Sequence, residues 1–302
     1  MKVLVTGGCG FIGKHLVKRL HAEGHTPIIY DMAPFTDDLP RNCYYRQGNI
    51  SDPYGLLEAM KGVDYVFHLG AMASTIKSAN APVTAFEINA LGTLNVLKAS
   101  LDSNVKQVYI ASSSLVSNKL LYDTYHEHCS DELIDLSSKG HVYSTSKLVS
   151  EMLALDFSDM YGLPSTIMRI GICYGPNMTQ GVLVDNFIRN ALVGKPMIIE
   201  GDGTQWRQYI YIYDLIEGCI RVLEEGYSEA IYNLVPEWTT SVNKVAKAVQ
   251  KVLPGSTIEY RKPRLHDFAV QKLDPSNNLG WKAKVGIEEG ISYTIDWYER
   301  GA

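Results

Sequence analysis

The sequence predicts an α/β fold built on a doubly wound, parallel β-sheet. Short apolar runs rich in β-branched residues alternate along the first half of the chain with longer segments of helical periodicity, and this alternation is typical of βαβ units. After about residue 171 the loops lengthen, and glycine and proline become more frequent. We therefore expect a sheet domain over residues 1–170 and a smaller C-terminal α/β region over 171–302, with segments near 206–235 returning to the sheet domain.

Hydrophobic periodicity places the individual elements of the first domain. The predicted strands are Lys2–Thr6, Pro27–Tyr30, Tyr65–Leu69, Val105–Ala111 and Ser165–Ile170. The predicted helices are Lys14–Glu23, Thr84–Ser100 and Val142–Met160.

Composition excludes several classes of protein. The 302 residues are 46% hydrophobic and 20% charged, as in ordinary globular enzymes, and the net charge is −5. An acidic chain is poorly suited to nucleic acid or anionic membrane, so we expect neither as a partner. With no apolar run of membrane-spanning length and no leader pattern at Lys2, we expect a cytoplasmic protein.

Metal binding is not predicted. The five cysteines are widely spaced, odd in number and form no C-x-x-C pair, which favours neither a disulfide scaffold nor a zinc site. His126, His128 and Cys129 crowd one segment, but their neighbours indicate a polar loop.

A glycine-rich loop separates the first predicted strand from the first predicted helix. Gly7, Gly10 and Gly13 have G-x-x-G-x-x-G spacing, and the run Gly8–Gly13 also satisfies G-x-G-x-x-G. Glycine lets the chain turn tightly and lets its backbone approach a pyrophosphate, which then faces the amides and dipole of the following helix. Because strand, loop and helix occur in the required order, the loop predicts a Rossmann-type dinucleotide site.

The residues after the second strand indicate which dinucleotide binds. Asp31 stands at the tip of that strand, where a carboxylate accepts hydrogen bonds from the adenosine ribose and repels a 2′-phosphate. Met32 and the two residues after it supply no arginine to attract such a phosphate. We therefore expect NAD as the cofactor rather than NADP.

A Tyr-x-x-x-Lys pattern supplies candidate proton-transfer residues. Tyr143 and Lys147 are four residues apart at the start of the Val142–Met160 helix and so share one face. A nearby ammonium favours the phenolate, which can then take a proton from a hydroxyl group or return it to a carbonyl. Three serines, Ser112–Ser114, follow the fourth apolar strand, where parallel sheets bind ligands.

Together these motifs resemble the extended short-chain dehydrogenase/reductase family, and within it the NAD-dependent nucleotide-sugar epimerases and dehydratases. The resemblance runs through nearly the whole chain. Its segments are TGGCGFIG, GNISD, HLGAMAS, NALGTLNVL, ASSSLV, YSTSK, RIGICYGP, GDGTQWRQYIYIYDL and NNLGWKAK.

The resemblance implies a role for each matching residue. Tyr143 is the base and acid, Lys147 its partner and a nicotinamide-ribose ligand, and Ser113, or failing it Ser114, the active-site serine. Arg207 and Arg264 correspond to arginines that bind the nucleotide diphosphate. Besides Tyr143, Lys147 and Asp31, the implied cofactor-binding residues are Gly7, Gly10, Phe11, Ile12, Gly13, Met32, Asn49, Ile50, Leu69, Gly70, Ala71 and Asn89.

Departures from the family pattern bear on the reaction. Dehydratases carry an acidic pair after the serine, and decarboxylases carry a glutamate, whereas this chain has Ser114 and Leu115. Ile172 replaces a usual substrate-contacting asparagine, and Gln208 replaces an aspartate. We predict a C4 epimerase of a UDP-hexose or UDP-uronic acid that oxidises its substrate transiently to a keto sugar.

Alternatives remain open at this point. A net NAD-dependent dehydrogenase or ketoreductase is consistent with the departures at Ile172 and Gln208, a dehydratase belongs to the same family, and a non-catalytic NAD-sensing protein is the third possibility. The resemblance also implies a homodimer, formed by the helices Thr84–Ser100 and Val142–Met160.

Overall fold

The computed structural model describes residues 1–121, 133–134, 141–225, 230–263, 271–276 and 279–300. In chain order the strands are β1 (Lys2–Thr6), β2 (Thr26–Asp31), β3 (Tyr44–Gln47), β4 (Tyr65–His68), β5 (Gln107–Ser113), β6 (Leu120–Leu121), β7 (Leu133–Ile134), β8 (Ser165–Ile170), β9 (Ile172–Tyr174), β10 (Met197–Glu200), β11 (Trp206–Arg207), β12 (Tyr209–Tyr211), β13 (Ile231–Leu234), β14 (Thr240–Ser241) and β15 (Ile258–Arg261).

Ten α-helices accompany these strands within the described ranges. They are α1 (Phe11–Ala22), α2 (Pro53–Ala59), α3 (Thr75–Asn80), α4 (Pro82–Phe86), α5 (Gly92–Asp102), α6 (Val142–Tyr161), α7 (Leu183–Leu192), α8 (Ile212–Glu225), α9 (Val242–Val252) and α10 (Ile287–Glu299). A π-helical turn, Glu87–Leu91, joins α4 to α5, and a 3₁₀ helix, Ser114–Lys119, follows β5. None of the helices described is long and apolar enough to cross a membrane.

Seven strands form one sheet in the order β13-β8-β5-β4-β1-β2-β3, and every neighbouring pair is parallel. The chain leaves β1 in one direction toward β3 and then resumes on the other side at β4. Because the direction reverses between β1 and β4, a crevice opens beyond their carboxyl ends, where such sheets bind ligands.

Helices cover both faces of this sheet. Val3 and Val5 of β1 belong to a buried cluster with α1 and α8, whereas Leu4 belongs to a second cluster with α2, α5 and α6. A strand buried on both faces is expected to be continuously apolar, as the central residues Val3–Val5 of β1 are. The prediction of a doubly wound, Rossmann-type parallel sheet is therefore confirmed.

The C-terminal part of the chain contributes both to the sheet and to a smaller unit. β13 completes one edge of the sheet beside β8, and α8 packs on α1 through an ion pair between Arg19 and Glu217. β10 and β15 form a separate parallel pair flanked by α7 and α9. We propose to retain the division at residue 170, with 206–235 returning to the sheet domain.

Several boundaries differ from the sequence-based expectation. The helix α1 begins at Phe11 rather than at Lys14, and β5 begins at Gln107 rather than at Val105. β5 runs to Ser113 instead of ending at Ala111, because Ser112 and Ser113 continue the pairing with Arg169 and Ile170 of β8. The predicted helix Thr84–Ser100 is a helical run from Pro82 to Asp102 interrupted by the π turn. Strand β3 was not predicted, since its exposed sequence YYRQ has no apolar periodicity.

Candidate active site

The glycine loop crosses the crevice between β1 and β4. Gly7 has a φ of +72°, and its N–H donates to the Tyr30 carbonyl at 3.0 Å. A Cβ on Gly7 would lie 2.8 Å from the Gly70 nitrogen, and one on Gly13 would lie 2.1 Å from the Gly7 oxygen. The loop thus passes directly over the chain that leaves β4, and α1 packs directly on the loop.

Gly10 is different, because a Cβ there would meet only the Gly7 oxygen, at 3.1 Å. The space in front of Gly10 is therefore open toward the crevice at the start of α1. Phe11 and Ile12, the first residues of that helix, are half-buried behind it. A bare backbone beside a helix N-terminus suits the phosphates of a dinucleotide.

Asp31 fixes the end of β2 beside this loop. Its Oδ2 accepts the Cys9 N–H and its Oδ1 accepts the Ala33 N–H, both at 2.9 Å. The carboxylate is half-buried, and the next side chain, Met32, is 62% exposed. Each carboxylate oxygen has a second lone pair left for a ribose hydroxyl.

The chain after β4 lines the opposite wall of the crevice. The Leu69 N–H donates to the Thr6 carbonyl at 3.1 Å, and the Gly70 N–H donates to Thr6 Oγ1 at 3.2 Å. Ala71 follows and is half-buried. Ile50 is buried behind Gly70, its Cγ2 lying 3.4 Å from where a Cβ of Gly70 would stand.

Asn49, the residue before Ile50, closes a local turn. Its Oδ1 accepts the Ser51 N–H at 3.0 Å, while its carbonyl accepts the Tyr30 hydroxyl at 3.1 Å. The turn is thus tied to β2, next to the strand that ends at Asp31.

Asn89 lies buried in the π turn and connects the crevice to α6. Its Oδ1 accepts the Met72 N–H at 2.8 Å, and its Nδ2 donates to Ser146 Oγ at 2.9 Å. Ser146 lies between Tyr143 and Lys147 on α6. Asn89 therefore links the chain after β4 to the helix α6.

Ser113, Tyr143 and Lys147 meet where α6 packs on the carboxyl end of β5. They are 6%, 7% and 3% exposed. Tyr143 is hydrogen-bonded to Ser113, which opposes the stronger effect of burial, and the net result is a raised pKa of the phenol. Lys147 Nζ donates to the Ala111 carbonyl at 2.7 Å. Burial lowers the pKa of Lys147 to about 8, and Glu151 opposes this shift.

His68, the last residue of β4, is buried close enough to Lys147 to sense its charge. Hydrogen bonds join its Nδ1 to Thr6 Oγ1 at 2.7 Å and its Nε2 to Thr93 Oγ1 at 3.0 Å. Burial, with a smaller contribution from the charge of Lys147, lowers the pKa of His68 to about 3. The imidazole is therefore neutral at physiological pH.

Sequence reasoning missed a buried ion pair beside these residues. Glu151 lies one turn beyond Lys147 on α6, and Arg169 Nη2 donates to its Oε2 at 2.8 Å. The available signals were an acid four residues after Lys147 and an arginine within the apolar strand β8.

The predicted substrate ligands lie on different elements. Ser114 is buried at the start of the 3₁₀ helix. Arg207 lies in the two-stranded sheet of β11 and β14, half-buried, and its Nη1 donates to the Trp206 carbonyl at 2.7 Å. Arg264 and the segment with His126, His128 and Cys129 lie outside the described residues. Within those described, no group of three or more His, Cys, Asp or Glu side chains could hold a metal.

Gln208 and Ile172, two residues that depart from the family pattern, both have defined contacts in the structure. Gln208 is buried, donates to the carbonyls of Pro236 and Leu273 at 2.7 and 2.8 Å, and accepts the Leu273 N–H at 2.9 Å. Gln208 thus links its own segment to those that contain Pro236 and Leu273. Ile172, half-buried on β9, is paired through its backbone with β12.

The arrangement can move a proton between a buried phenol and a bound hydroxyl at the sheet's carboxyl edge, beside a crevice shaped for a dinucleotide.

A solved UDP-glucose 4-epimerase from Thermus thermophilus in complex with NAD is similar in fold, with a TM-score of 0.87, 30% identity and full coverage of both chains. The dTDP-glucose 4,6-dehydratase from Streptomyces venezuelae, solved with NAD, is also similar in fold, with a TM-score of 0.89 and 25% identity. The match covers 100% of this chain and 98% of that one.

Sequence comparison gives relatives with further activities. The chain is 30% identical to UDP-glucuronic acid decarboxylase 2 of Arabidopsis thaliana over 98% of its own length and 67% of the relative's. Residues 3–234 match the NAD dependent epimerase/dehydratase family. The predicted cofactor, NAD, is thereby confirmed, and the chain belongs to the NAD-dependent epimerase/dehydratase family of nucleotide-sugar enzymes.

Proposed function

We propose that this protein is an NAD-dependent nucleotide-sugar epimerase that inverts C4 of a UDP-hexose or UDP-uronic acid. The observation that supports this reaction is an intact Ser113–Tyr143–Lys147 set without an acid at the next two positions, Ser114 and Leu115. The nearby carboxylate of Glu151 is buried and paired with Arg169, so we do not assign it the role of an elimination acid.

The residues divide the proton transfer between them. NAD, when bound, supplies a hydride acceptor that later returns the hydride. Tyr143 takes the proton of the sugar hydroxyl and gives it back after the keto sugar has turned, while Ser113 holds the reacting oxygen. Burial lowers the pKa of Lys147 to about 8, so the ammonium remains mostly charged near neutrality. In this proposal that charge, one turn from Tyr143 on α6, favours the phenolate.

The remaining predicted residues supply binding. We propose that the open backbone at Gly10 receives the pyrophosphate of NAD and that Asp31 receives the adenosine ribose. Arg207 and Arg264 are proposed ligands of the UDP diphosphate, for which a guanidinium fork is well suited. Ser114 lies beside the reacting sugar in this proposal.

A second candidate is another reaction of the same family, a net oxidation or reduction of the substrate. A dehydrogenase or ketoreductase is favoured by Ile172, which replaces a polar substrate contact, and by Gln208, which is occupied with backbone groups. A dehydratase or decarboxylase requires an acid that residues 114–115 lack, although relatives of this chain carry those names.

Product analysis separates these candidates. The protein is incubated with NAD and, in turn, UDP-glucose, UDP-galactose, UDP-glucuronate and UDP-galacturonate, and products are followed by NMR and absorbance. A C4 epimer without net NADH is expected. Stoichiometric NADH would indicate a dehydrogenase, loss of water a dehydratase, and release of CO₂ a decarboxylase, each of which refutes the proposal.

We also propose a homodimer formed through the helices that flank the active site. Several large apolar side chains on α4, the π turn and α6 are exposed, namely Val83, Phe86, Leu91, Met152, Leu155 and Met160. Exposed apolar side chains gathered on neighbouring helices are typical of an interface. Met152→Glu should convert a dimer into a monomer in light scattering, whereas Tyr260→Glu, at a similarly exposed position on β15, should not. A wild-type monomer would refute the proposal.

A further inference from the structure

We propose that Glu151, held by Arg169, is a positioning residue that keeps Lys147 charged and fixes the carboxyl end of β5. The inference rests on the proposed proton transfer by Tyr143 and Lys147. Glu151 would not touch the substrate or the cofactor, and would act through Lys147 and through Ser112.

The carboxylate of Glu151 is buried and fully engaged. The side chains of Glu151 and Arg169 are 3% and 2% exposed. Arg169 Nη2 donates to Oε2 at 2.8 Å, and Nε lies 3.1 and 3.2 Å from Oε1 and Oε2. The Ser112 hydroxyl also donates to Oε1. A charge-assisted bond of this kind is directional and so restrains all three side chains.

Ser112 is the residue through which this restraint reaches the site. It stands between Ala111, whose carbonyl accepts Lys147 Nζ, and Ser113, which is bonded to Tyr143. It also pairs across the sheet with Arg169. The side chain of Ser112 points to the ion pair, so α6 holds the end of β5 through Glu151 as well as through Tyr143 and Lys147.

The charges around Lys147 show why the acid matters. Glu151 and Tyr143 lie one turn away on either side along α6, His68 approaches from β4, and Arg169 stands behind Glu151 on β8. His68 is neutral, since its pKa is about 3. Glu151 is the group whose charge opposes the loss of the ammonium, which burial drives.

Burying two charges costs about as much free energy as their attraction returns, so this ion pair gives the fold little stability that an apolar pair would not give. Its place one turn from Lys147 gives the pair a second effect. Without the carboxylate, burial would move the pKa of Lys147 below its present value of about 8, and the ammonium would be lost near neutrality.

The test is the titration of Lys147 itself, which does not depend on the sugar that the enzyme converts. Lysine labelled at Cε and Nζ is followed by NMR in the NAD-loaded protein, and the Lys147 signal is assigned by its absence in Lys147→Arg. Glu151→Gln should lower the pKa of Lys147 by about one unit or more, a tenfold change in proton affinity. The basic limb of the kcat profile should move to lower pH with it.

Matched variants separate charge from packing. Arg169→Gln breaks the same ion pair but keeps the carboxylate, so it should not lower the pKa of Lys147. Glu224→Gln removes an exposed acid that pairs with Arg221, and it should leave the pKa of Lys147 unchanged. If a single variant fails to fold, the neutral pair Glu151→Gln with Arg169→Gln takes its place, and the lowered pKa is again expected.

An unshifted Lys147 in Glu151→Gln or in the neutral pair overturns the proposal, as does an equal fall in Arg169→Gln. If Lys147 shifts as expected but no UDP-sugar is epimerised, the positioning role stands and the proposed reaction fails.

Discussion

The glycines at positions 10 and 13 should respond differently to alanine, because the structure gives them different surroundings. A Cβ on Gly13 would stand 2.1 Å from the Gly7 oxygen and 2.7 Å from the Gly8 Cα. Both are backbone atoms of a tight turn, so α1 must move by about 1 Å to relieve the contact. Overpacking of this kind costs about 3 kcal/mol, of which the better helix propensity of alanine offsets about 1 kcal/mol.

We therefore expect Gly13→Ala to lower the melting temperature by about 4–8 °C, at about 2–4 °C for each kcal/mol. Gly10→Ala should lower the melting temperature much less, since the new methyl has one close neighbour, the Gly7 oxygen at 3.1 Å, which needs to shift by only a few tenths of an ångström. Gly286→Ala is the matched control for Gly10→Ala, because both glycines are helix N-caps with φ near −70°, and Gly286 has only open space around it.

The assay is thermal unfolding with and without NAD. At NAD equal to about 100 Kd, binding stabilises the native state by about 2.7 kcal/mol. If the methyl of Gly10→Ala blocks the pyrophosphate and weakens binding about tenfold, this gain falls to about 1.4 kcal/mol. A wild-type gain in Gly10→Ala, or wild-type stability in Gly13→Ala, would refute the reasoning.

Three further predictions concern the cofactor and the buried polar groups. Asp31→Ser should raise the affinity for NADP relative to NAD by about tenfold or more, measured by fluorescence titration, because the charge that repels a 2′-phosphate is gone; an unchanged ratio would contradict the assignment of Asp31. Tyr143→Phe should lower kcat by about 10²–10⁴-fold with an unchanged melting temperature, and undiminished turnover would exclude Tyr143 as the base. The pKa of His68 is about 3 in the native state against 6.5 in the unfolded chain, so the unfolded state binds the extra proton between these values. Stability in urea should therefore fall by up to about 1.4 kcal/mol per pH unit as the pH drops below 6.5, and His68→Gln should lessen that slope.

The sheet could be predicted because its strands are buried on both faces. Lys2–Thr6 and Ser165–Ile170 have the boundaries that their apolar runs predicted. The edge strand Tyr44–Gln47 could not be found in this way, since an edge strand with exposed side chains has no pattern that distinguishes it from a loop. The π turn was equally hidden, because apolar residues at helical spacing continue through it.

The candidate site was predictable where the chemistry requires a particular residue type at a fixed spacing. Gly7, Gly13 and the pair Tyr143–Lys147 meet that condition, and the structure brings Tyr143 and Lys147 to one strand end. Glu151 and Arg169 could not be paired from sequence alone, because their contact depends on how α6 crosses β8.

The π turn at Glu87–Leu91 has a consequence for comparing this chain with other sequences. The Gly92 N–H reaches back five residues to Glu87, so the turn holds one residue more than a regular helix would. A relative with a straight helix here should be shorter by one residue, and an ungapped alignment across residues 87–91 would place every later residue of α5 about 100° out of phase. Deleting one residue from this chain at the turn should leave α5 helical, while Asn89 would lose its bonds to Met72 and Ser146.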